Sequence, residues 1–279
     1  STNVQENDIT FCFGNLPPLF RLKGTTKLFL QNRYLVDDVN LKGFNWRSKI
    51  RLTIEKIWFR FTNKNVDTII VQTPTMKKLL SFNISPEASI LTLPFTSENQ
   101  DSSNTPNDQY LLDKKESHFV YIASGEPHKN HKTLFEAWFN LAADGIFPTL
   151  HTTLQTKKFD KLISKLKNQH TNLKPNFKNW ENLAHDEVLN LYQKSSALIY
   201  PSKLESFGLP IIEAKNSGLP IIASELDYVR DIVTPKETFD PNSATSIARA
   251  VKRFMGEDEL PISILNPTEF SKQIMDETN

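Results

Sequence analysis

The sequence predicts an α/β protein built from two parallel-sheet domains. Strand-like and helix-like patterns alternate through the second half of the chain, and the first 95 residues repeat the alternation in shorter form. A polar run at 97–117 (SENQDSSNTPNDQYLLDKKES) separates the halves and has the Ser, Asn and Asp content of a linker. Repeated β-α units of this length imply a mostly parallel sheet covered on both faces.

The elements follow in order. Asp8 to Gly14 and Lys27 to Gln31 read as strands, and Ser48 to Phe61 as a long helix. Asp67 to Gln72 (DTIIVQ) is a strand and Thr75 to Leu80 a helix. Past the linker, His118 to Ala123 (HFVYIA) is a buried strand. His131 to Ala143 is a helix, with Leu134, Ala137, Trp138 and Leu141 at helical spacing on one face. Thr149 to Leu154 is a strand, Phe159 to Asn168 a helix and Ala184 to Lys194 another. Ala197 to Tyr200 is a strand, Leu209 to Asn216 a short helix, Leu219 to Ala223 a strand and Ser243 to Phe254 a closing helix. The expected domains are therefore 1–96 and 118–265, with the linker between them and a tail or helix at 266–279.

Composition bounds the function. With 279 residues, 38% of them apolar, the chain can bury a sizeable core. A net charge of +1 argues against a general nucleic-acid partner, whose domain is normally strongly basic. The lone cysteine, Cys12, excludes an internal disulfide, and no Cys/His cluster points to a metal. A reducing cytoplasm fits that usage. No apolar run reaches the roughly 20 residues of a membrane span, and the polar start STNVQENDIT carries no signal-peptide core.

The informative stretch is ALIYPSKLESFGLPIIEAKNSGLPIIAS, residues 197–224. A strand ends at Tyr200, a loop runs to Gly208, and Pro210 suits a first helical turn because its missing N–H has no partner there anyway. Gly208 lets a ligand approach the backbone closely. The helix N-terminus offers free amides and a positive dipole end to an anion. It lies beyond the carboxyl end of a strand, where open α/β sheets bind ligands. Glu205 falls in the loop and Glu213 in what reads as the helix's first turn, so both carboxylates can border one phosphate-attracting pocket. Taken singly, each glutamate reads as readily as a solvated surface charge.

The whole string resembles the donor-site signature of family-4 retaining glycosyltransferases of the GT-B type, which have two Rossmann-like domains. Pro201, Ser202, Glu205, Phe207, Gly208, Leu209, Pro210 and Glu213 stand in its register. The resemblance implies that Glu205 contacts the transferred sugar near the reacting centre and is the catalytic candidate. Glu213 would bind the ribose. Ser202, Ser206 and the backbone of Phe207, Gly208 and Leu209 would meet the phosphate and sugar. Such enzymes use a nucleotide sugar (UDP-, GDP- or dTDP-linked) as substrate and need no cofactor or obligate metal. Electrostatic stabilisation of the leaving diphosphate supplies much of the rate.

A second patch, SGEPHKNHKTLFEAW at 124–138, matches the family's first loop of this domain. Lys129 is the implied diphosphate lysine, with His128 and Asn130 as neighbouring candidates; a helix-capping role for Asn130 is an equal alternative. The family's arginine a few residues earlier is absent. Within NFKNWENLAHDEV, 176–188, Trp180 and Leu183 are candidates to cover the base, with core packing as their commoner fate.

The segments GNLPPLF (14–20) and 66–80 resemble parts of the family's first domain, but no Gly-rich acceptor loop precedes them, and only eight glycines occur. We expect roughly 60 to 90 further residues in front, so that the first domain here is incomplete. Asn15 and Asn32 are the acceptor-side candidates; Gln31 and Asn32 stand where the family often has a histidine. Residues 42–64 hold seven Lys/Arg and one acid, with Trp46, Ile50, Ile54, Ile57, Trp58 and Phe61 at helical spacing. That suits an anionic membrane surface and a lipid-linked saccharide acceptor, hence a peripheral place on the inner face of the cell membrane. An amphipathic helix packed on its own sheet is the alternative. The expected function is sugar transfer in polysaccharide or O-antigen assembly. The alternative is a non-catalytic nucleotide-sugar-binding scaffold.

Overall fold

The computed structural model describes residues 4–39, 41, 43–82, 84, 88–95, 117–257 and 266–268. The expected linker, apart from Ser117, and most of the expected C-terminal tail lie outside them.

Strands β1 (Ile9–Cys12), β2 (Thr25–Phe29), β3 (Thr68–Val71) and β4 (Ser89–Thr92) pair in parallel in that order. Helices α1 (Trp46–Thr62) and α2 (Pro74–Ser81) accompany them. The core joins Leu28, Leu30, Ile69 and Val71 of the sheet to Phe59 of α1 and Met76 and Leu80 of α2. Alternation sends the neighbouring side chains to the other face. There Ile9, Phe11, Phe13, Leu91, Leu93 and Phe95 are exposed.

Helix α1 starts two residues earlier than expected because the Asn45 carboxamide accepts the Ser48 amide at 2.8 Å. Its apolar stripe does not pack on the sheet. Trp46, Ile50, Ile54, Ile57 and Phe61 are 50–71% exposed, while Leu52 and Phe59, on another face, are buried. Trp58 alone of the expected stripe turns inward, donating its indole N–H to the Pro17 carbonyl. Among the described residues no helix is long and apolar enough to cross a membrane.

The second sheet runs β5 (His118–Tyr121), β6 (Thr149–Thr152), β7 (Phe177–Asn179), β8 (Ala197–Tyr200), β9 (Ile221–Ser224) and β10 (Glu237–Phe239) along the chain. In space the order is β10-β9-β8-β5-β6-β7, all parallel. Helices α3 (His131–Ala143) and α4 (Thr156–Gln169) carry the chain outward from β5 one way. After α5 (His185–Gln193) returns it, α6 (Leu209–Asn216) and α7 (Asp227–Arg230) carry it the other way, and α8 (Ala244–Met255) closes on α3. Right-handed crossovers in opposite directions put their helices on opposite faces, so this sheet is covered on both sides. The face expected for α3 is fully buried, with Trp138 set edge-on to Phe119. The short strands β4 and β10 and the single-turn α7 carry too little periodicity to be read from the sequence.

The order reverses between β5 and β8. That is the topological switch point of a doubly wound sheet, and ligands bind in the crevice beyond the strand ends there.

Candidate donor site between the two domains

The loops after β5 and β8 form the walls of that crevice, and buried polar bonds lace them together. Asn130, at φ 62°, donates its carboxamide hydrogens to the carbonyls of Pro201 and Pro241 at 3.1 and 2.7 Å. The Lys203 amide and the Ser202 hydroxyl both donate to the His128 carbonyl, at 2.8 and 3.3 Å. Asn130 and Ser202 are buried and fully engaged in this lacing. Their side chains hold the two loops together, and that of Asn130 does not cap α3.

Glu205 and Lys129 meet at the centre. The Lys129 ammonium lies 2.6 Å from Glu205 Oε1, with only 16% and 11% of the two side chains exposed. The Tyr200 hydroxyl donates to the same oxygen at 3.0 Å, and that of Tyr121 to the Lys129 carbonyl at 2.6 Å. Tyr228 donates to the Ser202 carbonyl at 2.8 Å. Burial, and then the charge of Glu205, push all three phenols well above their ordinary range, so they stay protonated donors. None of these tyrosines carried a sequence signal beyond lying at or near a strand end.

Beyond Glu205 the backbone amides of Ser206, Phe207, Gly208 and Leu209 have no acceptor among the described residues, and neither has the Ser206 hydroxyl. Gly208 has φ 68°, and a Cβ there would press on Ile211 at 3.3 Å. The loop is thus an amide-lined turn at the start of α6. Glu213 sits in the second turn of α6, one turn deeper than expected, since the helix begins at Leu209. Its carboxyl accepts from Tyr192 at 3.4 Å and lies 3.9 Å from His185, and burial raises its pKa. The two glutamates share no partner; they sit on either side of the amide turn.

Trp180 and Leu183, the two base-cover candidates, follow β7. The Trp180 indole donates to His151 Nδ1 at 3.0 Å, the ring stacks on His151, and the Lys178 ammonium lies 4.4 Å over it. Leu183 packs against the domain core. Leu183 is half-buried, while Trp180 keeps 37% of its surface exposed as its side chain follows Lys178 onto the His151 face of the sheet.

The first domain reaches into the crevice through residues that the sequence did not single out. Asn15 Oδ1 accepts the amides of Gln31 and Asn32 at 2.6 and 2.9 Å, and Asn32 Oδ1 accepts that of Tyr34 at 3.1 Å. The two expected acceptor contacts therefore shape a turn, and the turn presents Arg33 and Tyr34. Burial, then the charges of Glu205 and Glu126, push Tyr34 up to about 12, so it stays protonated, and its hydroxyl shares a hydrogen bond with His128 Nδ1 at 2.9 Å. Burial lowers the His128 pKa; that neutral ring also lies parallel to Phe44. Thr73 donates to the Ser206 carbonyl at 3.4 Å, and Asp231 caps the Thr75 amide at 2.9 Å. A cavity of about 220 Å³ between α1 and residues 34–41 includes Tyr34, Leu41, Leu52, Lys56 and Arg60 in its lining.

Two buried histidines make stability acid-sensitive. Burial first, then neighbouring positive charge, lowers both His131 and His151 to about 4. Between pH 6.5 and about 4 the unfolded chain binds protons that the folded chain does not, so stability is complete above that window and is lost as pH falls through it. Urea midpoints at several pH values should fall across it, and His131→Phe should flatten the slope. An equally steep slope in that variant would clear His131 of the effect.

Residues 103–264 match the profile of the family described as "Glycosyl transferases group 1". The chain is 30% identical over 139 residues to the serotype-specific mannosyltransferase WbdA of Escherichia coli, covering 49% of this chain and 17% of that protein. It is 25% identical over 222 residues to the O-antigen chain mannosyltransferase RfbU of Salmonella typhimurium, covering 76% of this chain and 58% of that one. In fold it resembles the solved sucrose-phosphate synthase of Thermosynechococcus elongatus, with a TM-score of 0.63 at 19% identity over 85% of this chain and 60% of that one. The chain thus spans between about a sixth and three fifths of these relatives.

Proposed function

Because the chain belongs to the group 1 glycosyl transferases, we propose that it carries the donor site of an enzyme that moves a sugar, with retention, from a nucleotide sugar to a lipid-linked saccharide. One observation carries the reading: the Lys129–Glu205 pair stands at the switch point beside a turn of unpaired amides. Amides and lysine suit a diphosphate, and the glutamate suits sugar hydroxyls. In the reaction, the bond from the anomeric carbon to the phosphate oxygen breaks with its electron pair going to phosphate. The acceptor hydroxyl oxygen bonds to the same face of that carbon, and its proton passes to the leaving phosphate. No protein base or metal is required, and the burial of the tyrosine-braced Lys129–Glu205 pair strengthens the charge stabilisation. Mannose is the first sugar to test, given the mannosyltransferase relatives.

On the acceptor side, the stripe Trp46, Ile50, Ile54, Ile57 and Phe61 is interleaved with Arg47, Lys49, Arg51, Lys56 and Arg60. That pairing of exposed apolar and basic residues suits an anionic bilayer at a cytoplasmic face. The cavity behind α1 offers a lipid-linked saccharide a path toward Tyr34.

A panel of UDP-, GDP- and dTDP-sugars tests the donor. One of them should stabilise the protein by about 2.7 kcal/mol at a hundredfold excess over its Kd and should be turned over when acceptor is added. No stabilisation by any of them would overturn the reading; stabilisation without transfer would favour a binding scaffold. Co-sedimentation with anionic vesicles at low salt tests the α1 surface, and no binding there would remove it.

A further inference from the structure

We propose that Arg33, delivered into the site by the first domain, is a catalytic residue that holds the distal phosphate of the donor. This rests on the nucleotide-sugar reading. A diphosphate brings at least two negative charges into the crevice, and the two loops that line it are poorly supplied to meet them. Their ionic side chains are Glu126, Lys129, Lys203 and Glu205, two acids against two lysines, and the Lys158 ammonium of α4 donates to the Gly125 carbonyl of the first loop at 3.2 Å. Lys203 is exposed, and the Lys129 ammonium is already paired with Glu205. From residue 118 onward the first arginine in the sequence is Arg230, which is exposed and paired with Glu225.

Arg33 meets the shortfall from across the domain boundary. Its Nη1 donates to the Glu205 carbonyl at 3.3 Å, and its Nε donates to Asp37 at 2.9 Å, with 17% of the side chain exposed. Asp37 therefore fixes the plane of the guanidinium, while the far edge of the fork faces the start of the turn whose next four amides lack acceptors. The Glu205 contact is long for a hydrogen bond to guanidinium and can give way to a charged oxygen. A planar fork beside a row of free amides suits a phosphate, which accepts two parallel N–H bonds from such a group. The position is built in before any ligand arrives, because the Asn15 and Asn32 side chains hold the turn that carries Arg33. One phosphate would then be gripped by the amides of one domain and the arginine of the other.

Calorimetric titration of the whole chain with UDP and UMP, with GDP and GMP, and with dTDP and dTMP tests the assignment in the native protein, Arg33→Gln and Arg33→Lys. The glutamine variant should bind the diphosphate about 10- to 100-fold more weakly, with monophosphate affinity unchanged. The lysine variant should recover only part of the loss, because a point charge lacks the fork. Urea midpoints confirm that each variant is folded. An equal loss for mono- and diphosphate, or a loss for neither, would show that Arg33 only ties the domains together. Should the native chain bind none of the six nucleotides, the donor reading itself fails, and the Arg33 assignment with it.

Discussion

The Glu205→Gln protein is expected to fold and to bind nucleoside diphosphate at least as tightly as the native chain, while turning over roughly 100- to 1,000-fold more slowly. The carboxylate lies at the end of the β8 loop, where Tyr200 and Lys129 both donate to one of its oxygens. An amide of the same shape can still accept from both. It cannot offer a negative charge to a sugar ring that becomes cationic as its bond to phosphate breaks. It also turns the Lys129 ion pair into a hydrogen bond to a neutral oxygen, which the incoming phosphate displaces more easily. The loss should therefore appear in kcat with KM unchanged or lower, the signature of an interaction made in the transition state. Native kcat in this variant would remove Glu205 from the mechanism.

The second large effect is on stability as well as binding. Lys129→Met leaves the Glu205 carboxylate, 11% exposed, with Tyr200 as its remaining side-chain donor. An uncompensated charge at such a site costs about 3 kcal/mol, to be read as a fall in the urea midpoint at constant m. Diphosphate affinity should fall by about 100-fold as well, since the point charge aimed at the phosphate is gone. Adding Glu205→Gln to that background removes the stranded charge and should restore most of the stability while leaving affinity low. The double-mutant cycle separates the two roles, because neighbours in one ion pair are not additive. If Lys129→Met alone keeps the native midpoint, the pair contributes nothing to the fold.

Much of this site could be read along the chain because its parts are local. Strand, loop, Gly208 with its positive φ, Pro210 and helix follow one another within 197–216, and each is set by neighbours a few residues away. The same holds for α3 and β8, whose bounds the apolar spacing marked to the residue. What the sequence left open were roles that depend on where a side chain turns. Ser202 and Asn130 carry the right chemistry for a donor but point into the lacing between loops. Trp180 faces His151, and Asn15 and Asn32 hold a turn. Nothing in residue type separates these uses, since a carboxamide or hydroxyl bonds a carbonyl as well as it bonds a sugar.

The sequence by itself determined two α/β halves, the strand–loop–helix register from Pro201 to Glu213, and a basic, apolar-striped helix at 48–61. Only the tertiary structure decided that Lys129 meets Glu205 across 76 positions, that Tyr121, Tyr200 and Tyr228 brace them, and that Arg33 and Tyr34 arrive from the other domain. It also decided that the α1 stripe faces outward. The reason is one of range. Periodicity, caps and turns act over a few residues, whereas the neighbours of a loop depend on which strand ends lie side by side, and strand order is settled by the packing of the whole sheet.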